Sequence, residues 1–154
     1  MSLTSALQRA LAVEHAAVYG YGLLGARLSD TELGAAQAAY AAHQTRRDVI
    51  ARMVRDLKAQ PLVAPPAYRP RQPLTSRQRA LELAVLLEDE CVAAFIAIIG
   101  QTDVPSMRRS AVSWLVDATV RGQSWRSAIG PNALARMPAL PGLALAAPTG
   151  TPTP

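Results

Sequence analysis

The sequence predicts an all-α protein, a four-helix bundle made of two antiparallel helical hairpins joined by a long Pro-rich crossover. Three observations carry that expectation. The chain has 154 residues, half of them apolar, with aromatics at only 5%. Alanine fills 30 positions, a composition that favours closely packed helices over strands. Apolar residues recur at helical spacing over four long segments, and the links between those segments are about two, fifteen and five residues long.

The first helix is expected from Ser2 to Leu28, with Leu3, Leu7, Ala10, Leu11, Ala17, Val18 and Leu24 forming its stripe. Ser29-Asp30-Thr31-Glu32 has the spacing of a capping box and opens the second helix, which should run to about Ala59. The segment from Gln60 to Leu74 contains Pro61, Pro65, Pro66, Pro70 and Pro73 and must run extended. Thr75 or Ser76 caps the third helix, which continues to about Ile99 and stops at Gly100. Asp103 and Pro105 open the fourth, and Gly130-Pro131 closes it.

Short links force antiparallel neighbours within each hairpin. The middle link, at ~3.1 Å per residue, reaches ~45 Å. A helix of about 25 residues is only ~37 Å long, so the link can traverse the whole bundle. Residues 1–130 are thus expected to form the bundle. Residues 131–154 should form a Pro/Ala/Thr-rich tail, with Leu134 to Leu145 available to dock and the last ten residues disordered.

The longest apolar run, Cys91 to Ile99, is far short of the ~20 residues needed to cross a bilayer. The N-terminus has no signal-peptide pattern, and a single cysteine excludes an internal disulfide framework. A cytoplasmic setting is expected. The net charge is +5, carried by 15 arginines and one lysine, Lys58. This Arg bias, coupled to high Ala, reflects base composition as readily as nucleic-acid binding.

Polar residues interrupt the apolar stripes. Glu14 and Tyr21 lie on the inner face of the first helix, and Tyr40, His43 and Arg47 on that of the second. Glu88 does so on the third, and Trp114, Asp117 and Arg121 on the fourth. Glu14, His43, Glu88 and Asp117 all lie near mid-height, one on each helix. The two halves also repeat at an interval of 74 residues, which pairs Glu14 with Glu88, Tyr21 with Phe95, Tyr40 with Trp114, His43 with Asp117 and Arg47 with Arg121. Three carboxylates, an imidazole and two guanidiniums can share a core only if they pair or bind a cation. Glu14, His43, Glu88 and Asp117 are therefore candidate ligands for one divalent metal. Tyr21, Tyr40, Arg47 and Arg121 are candidates for a core polar network that neutralises the acids without metal.

The stretches Glu14 to Tyr21, Ala42-His43 through Asp48, Leu87-Glu88-Asp89 and Asp117 through Arg126 resemble the ferritin-like superfamily. They look closest to an uncharacterised actinobacterial ferritin-like family, over residues 3 to about 130. In ferritin-like di-iron proteins two helices each supply a Glu, and two each supply Glu-x-x-His. Carried over, Glu14 and Glu88 match the terminal carboxylates and His43 one imidazole. The bridging positions hold Tyr40 and Trp114, with Asp117 at the second imidazole position. In an alternative register Asp117 takes the carboxylate position and Val120 the imidazole. The resemblance thus implies a degenerate centre, without ferroxidase, oxygenase or iron-storage chemistry. The alternatives are a mononuclear iron or manganese redox protein and a Dps-like DNA binder. A homodimer is expected, with nucleic acid and membrane not expected as partners and the tail free to dock a protein partner. His15 should point off the inner face, Trp114 and Trp125 should serve packing, and Cys91 should be an inert buried thiol.

Overall fold

The computed structural model describes residues 1–69 and 72–135. Its elements are α1 (Leu3–Leu24), a 3-10 turn (Gly25–Arg27), α2 (Asp30–Asp56), α3 (Arg77–Gln101), α4 (Pro105–Ile129) and the single-turn α5 (Pro131–Ala135). Among the described residues there is no strand. The four long helices pack as a bundle. α1 lies against α2 and α3, and α3 against α4, whereas α2 and α4 nowhere bring their Cα atoms within 8 Å. The α2–α4 seam is thus the widest of the four.

Each helix end has a local cause. The Ser2 and Ser76 hydroxyls accept from the backbone N–H of Ser5 and Arg79, capping α1 and α3. Pro105 occupies the first turn of α4, where its missing N–H costs nothing. Gly130, at φ 137°, ends that helix in a conformation reserved for glycine.

Four boundary expectations are corrected. The first helix gives way to a 3-10 turn at Gly25 instead of running to Leu28. The second stops at Asp56, not Ala59, because Lys58 turns left-handed at φ 60°. Its N–H reaches Arg55 O at 2.8 Å and that of Ala59 reaches Val54 O at 3.2 Å, closing a Schellman motif with no glycine to announce it. The third runs through Gly100 to Gln101, because the Thr102 N–H still bonds to Ile98 O. Ser29 sits at the N-cap of α2, but its side chain makes no capping bond. Glu32 is drawn instead into a bidentate pair with Arg77, so the capping box is not formed. The expectation of an irregular tail from Asn132 is met first by the α5 turn, and its remainder from residue 136 lies outside the described residues.

The crossover runs along α1 as a strap. Gln8 grips it twice, donating to Gln60 O at 2.6 Å and accepting from Leu62 N–H at 2.9 Å. His15 Nε2 donates to Leu62 O at 3.2 Å, Tyr19 packs against Tyr68, and Arg27 Nε donates to Leu74 O at 2.9 Å. These anchors span α1 from its second turn to the turn beyond its end. The link therefore returns the chain to the α2 entry, and α3 runs antiparallel to α1. Phe95, Leu7, Leu11, Leu24, Ile50, Leu81 and Ile98 form the dry core, and into it Glu14, His43 and Glu88 project with no solvent exposure.

Candidate functional site

His43, on α2, is held from both sides. Its Nδ1 lies 2.8 Å from Glu14 Oε2 and its Nε2 3.2 Å from Glu88 Oε1. Ionised carboxylates only accept, so the two contacts are satisfied together when both ring nitrogens donate, which is the imidazolium form. Burial alone would push its pKa down, but the hydrogen bonds to Glu14 and Glu88 outweigh that and raise it. Burial would raise Glu88, yet its bond to His43, with Arg121 and Tyr21 behind it, holds that carboxyl below its ordinary range.

Each acid is also neutralised by an arginine from its own hairpin. Arg46 Nη1 donates to Glu14 Oε1 at 3.4 Å, and Arg121 Nε to Glu88 Oε1 at 3.0 Å. Glu88 Oε1 accepts a third bond, from the Tyr21 hydroxyl at 2.6 Å. The Tyr21 hydroxyl in turn accepts from Trp125 Nε1 at 2.8 Å, and the Tyr21 ring stacks on His43 with centroids 5.1 Å apart. Gly122 on α4 faces this point: a Cβ on it would lie 3.4 Å from the Cβ of Glu88. Beside this network, Arg126 and Asp89 form a second α3–α4 ion pair, with Arg126 buried.

Of the residues singled out in the sequence, the structure brings Glu14, Tyr21, His43, Glu88 and Arg121 together at the centre. Three of its orientations are corrected. Asp117 does not reach the core: its side chain is 54% exposed, and its carboxylate lies 3.9 Å from Arg46 Nη2 across the α2–α4 seam. Arg47 points outward to Asp48, and its neighbour Arg46, 5% exposed, takes the inner position. Tyr40 is half-buried beside Leu33 and Ala36, and its hydroxyl bonds to neither acid. Trp114 is half-buried and packs its ring against Phe95, which also carries the Arg46 guanidinium on its face. Trp125, expected only to pack, donates a buried hydrogen bond.

The charges of this cluster balance. His43, Arg46 and Arg121 face Glu14 and Glu88 inside, and Asp117 supplies the third acid from the rim. Glu88 Oε2, Arg46 Nε and Arg121 Nη2 are buried with no protein partner. Cys91 is fully buried, and one ligand atom from each of Glu14, His43 and Cys91 falls within 4.8 Å of the others. Burial, with Glu14 and Glu88 nearby, pushes the Cys91 thiol well above its ordinary pKa, so it is protonated at neutral pH.

A family described as "Domain of unknown function (DUF4439)" matches residues 6–145. The crystal structure of a conserved hypothetical protein, rv2844, from Mycobacterium tuberculosis is similar at 28% identity and a TM-score of 0.79. The match covers 82% of this chain and 96% of that one. No functionally curated protein matches the chain.

Proposed function

The chain belongs to the DUF4439 family, and we propose on that footing that it is a ferritin-like bundle with a degenerate centre, where an ion-pair network replaces a metal pair. On this reading it is a non-ferroxidase structural or binding protein. One observation carries the proposal: both nitrogens of His43 are committed to carboxylates. A metal-ligating imidazole must offer one of them as a bare lone pair.

The donor set does not fit a carboxylate-bridged metal pair. Such a centre needs bridging acids, and the corresponding positions hold Tyr40 and Trp114. The two acids that are present already carry guanidiniums, and a divalent ion would add charge to three cations. The test is metal content of untagged protein purified without chelator from cells supplemented with iron and manganese, beside the Glu14→Ala/Glu88→Ala variant. Both should be metal-free. About one ion per chain, lost in the variant, would overturn the reading.

A second reading, a mononuclear iron or manganese site, is favoured by the convergence of Glu14, His43 and Cys91. It differs from the sequence expectation of Glu14, His43, Glu88 and Asp117 in that Cys91 enters the set and Glu88 and Asp117 leave it. It requires loss of the thiol proton and of one imidazole proton, which the protonated state of Cys91 opposes. Cys91→Ser would abolish metal uptake under this reading and leave metal content unchanged, at nil, under the first.

A further inference from the structure

We propose that the outward face of α4 is a docking surface for a second copy of this chain, packed antiparallel about a two-fold axis at Val116. Val112, Val116 and Val120 stand at successive helical turns, 44%, 51% and 59% exposed. Exposed positions on a solvated helix normally carry charge. The eight exposed residues from Val112 to Ser127 are three valines, three serines, a glutamine and a single aspartate. On α2 the exposed positions 74 residues earlier are Ala38, Ala41, Thr45, Asp48 and Arg52, two of five charged against one of eight. Depletion of charge over an apolar stripe is the compositional mark of an interface core.

The pattern also selects the occupant. A chain of net charge +5 repels its own copies wherever like charges meet. A two-fold at Val116 sets that residue against itself and Val112 against Val120 of the second copy. The nearest cation, Arg109, then meets the neutral Gln123 of that copy. The stripe reads the same in both directions, as an isologous contact requires. A partner of opposite charge would be met by a charged face, whereas the basic residues of this one, Arg108 and Arg109, stand at one end of the stripe and meet no cation across the axis.

Sedimentation velocity on the full chain at micromolar concentrations tests the proposal. The expected species has twice the 16.3 kDa monomer mass. Val116→Glu, which sets two carboxylates together at the axis, should weaken dimerisation at least ~100-fold with helicity unchanged and with Tm no longer dependent on protein concentration. Val116→Cys should cross-link to itself under mild oxidation, with the buried Cys91 silent. Val112→Cys should cross-link only when mixed with Val120→Cys. A monomer at all concentrations, a dimer that survives Val116→Glu, or Val112→Cys cross-linking to itself as fast as to its mate would each overturn the proposal.

Discussion

Glu14 and Glu88, 74 positions apart in the chain, meet at the two nitrogens of one imidazole. Among the described residues His43 alone hydrogen-bonds to both, so it joins the two hairpins at mid-height. Removing either acid leaves a buried cation without its partner. Glu14→Ala should lower unfolding free energy by about 3–5 kcal/mol, the cost of breaking a buried ion pair. Chemical denaturation measures it. A loss under 1 kcal/mol would mean that the pair adds little to the fold.

The cluster should give stability a maximum in mildly acidic solution. The folded pKa of His43 is raised above its ordinary 6.5, so its contribution is complete below that pH and fades as pH rises through the folded value. That of Glu88 is lowered below its ordinary 4.5, so its contribution is complete above that pH and fades as pH falls through the folded value. Both are present together between about 4.5 and 6.5. Urea unfolding from pH 3 to 9 should show this, and His43→Gln should flatten the alkaline side.

Tyr21→Phe keeps the ring stacked on His43 and removes the hydroxyl. The indole N–H of Trp125 then has no acceptor, and Glu88 Oε1 loses its shortest bond. The expected cost is about 1–3 kcal/mol, the desolvation penalty of a stranded polar group. Trp125→Phe combined with it should cost less than the sum of the two single changes, because the donor and acceptor leave together.

Two glycines in helix interiors should respond in opposite directions to alanine. A Cβ on Gly20 would fall 2.6 Å from Leu87 Cδ1, so Gly20→Ala forces that buried side chain to move at a cost of about 1–3 kcal/mol. Gly34 has open space around its missing Cβ, and Gly34→Ala should stabilise α2 by about 0.5–1 kcal/mol. Thermal unfolding of the two variants, with Gly20→Ala/Leu87→Ala as a relief control, separates the effects.

Much of this was legible in the sequence because it depends on local rules. Ser76, Pro105 and Gly130 mark helix ends wherever they occur, and the 74-residue repeat puts Glu14 and Glu88 at one height. Periodicity could not choose between Arg46 and Arg47, since both lie on the arc around His43. The choice depends on where α4 sits. The gap between α2 and α4 also decides Asp117: a short carboxylate on α4 cannot span it, whereas the long Arg46 side chain reaches from the other side. Cys91 joins Glu14 and His43 across three helices, a contact with no signature in any one of them. Lys58 ended α2 where only a glycine would have been read as a stop.

The strap along α1 is fastened at Gln60, Leu62, Tyr68 and Leu74, and between the middle two the backbone of residues 63–67 lies exposed and unbonded to α1. A protease entering there would yield two fragments, each a complete helical hairpin. The α1–α3 face and the His43–Glu88 bond lie in the interface between them and would hold the nicked molecule together. The polypeptide is in this sense two complementary halves on one thread, and the halves expressed separately should find each other and fold.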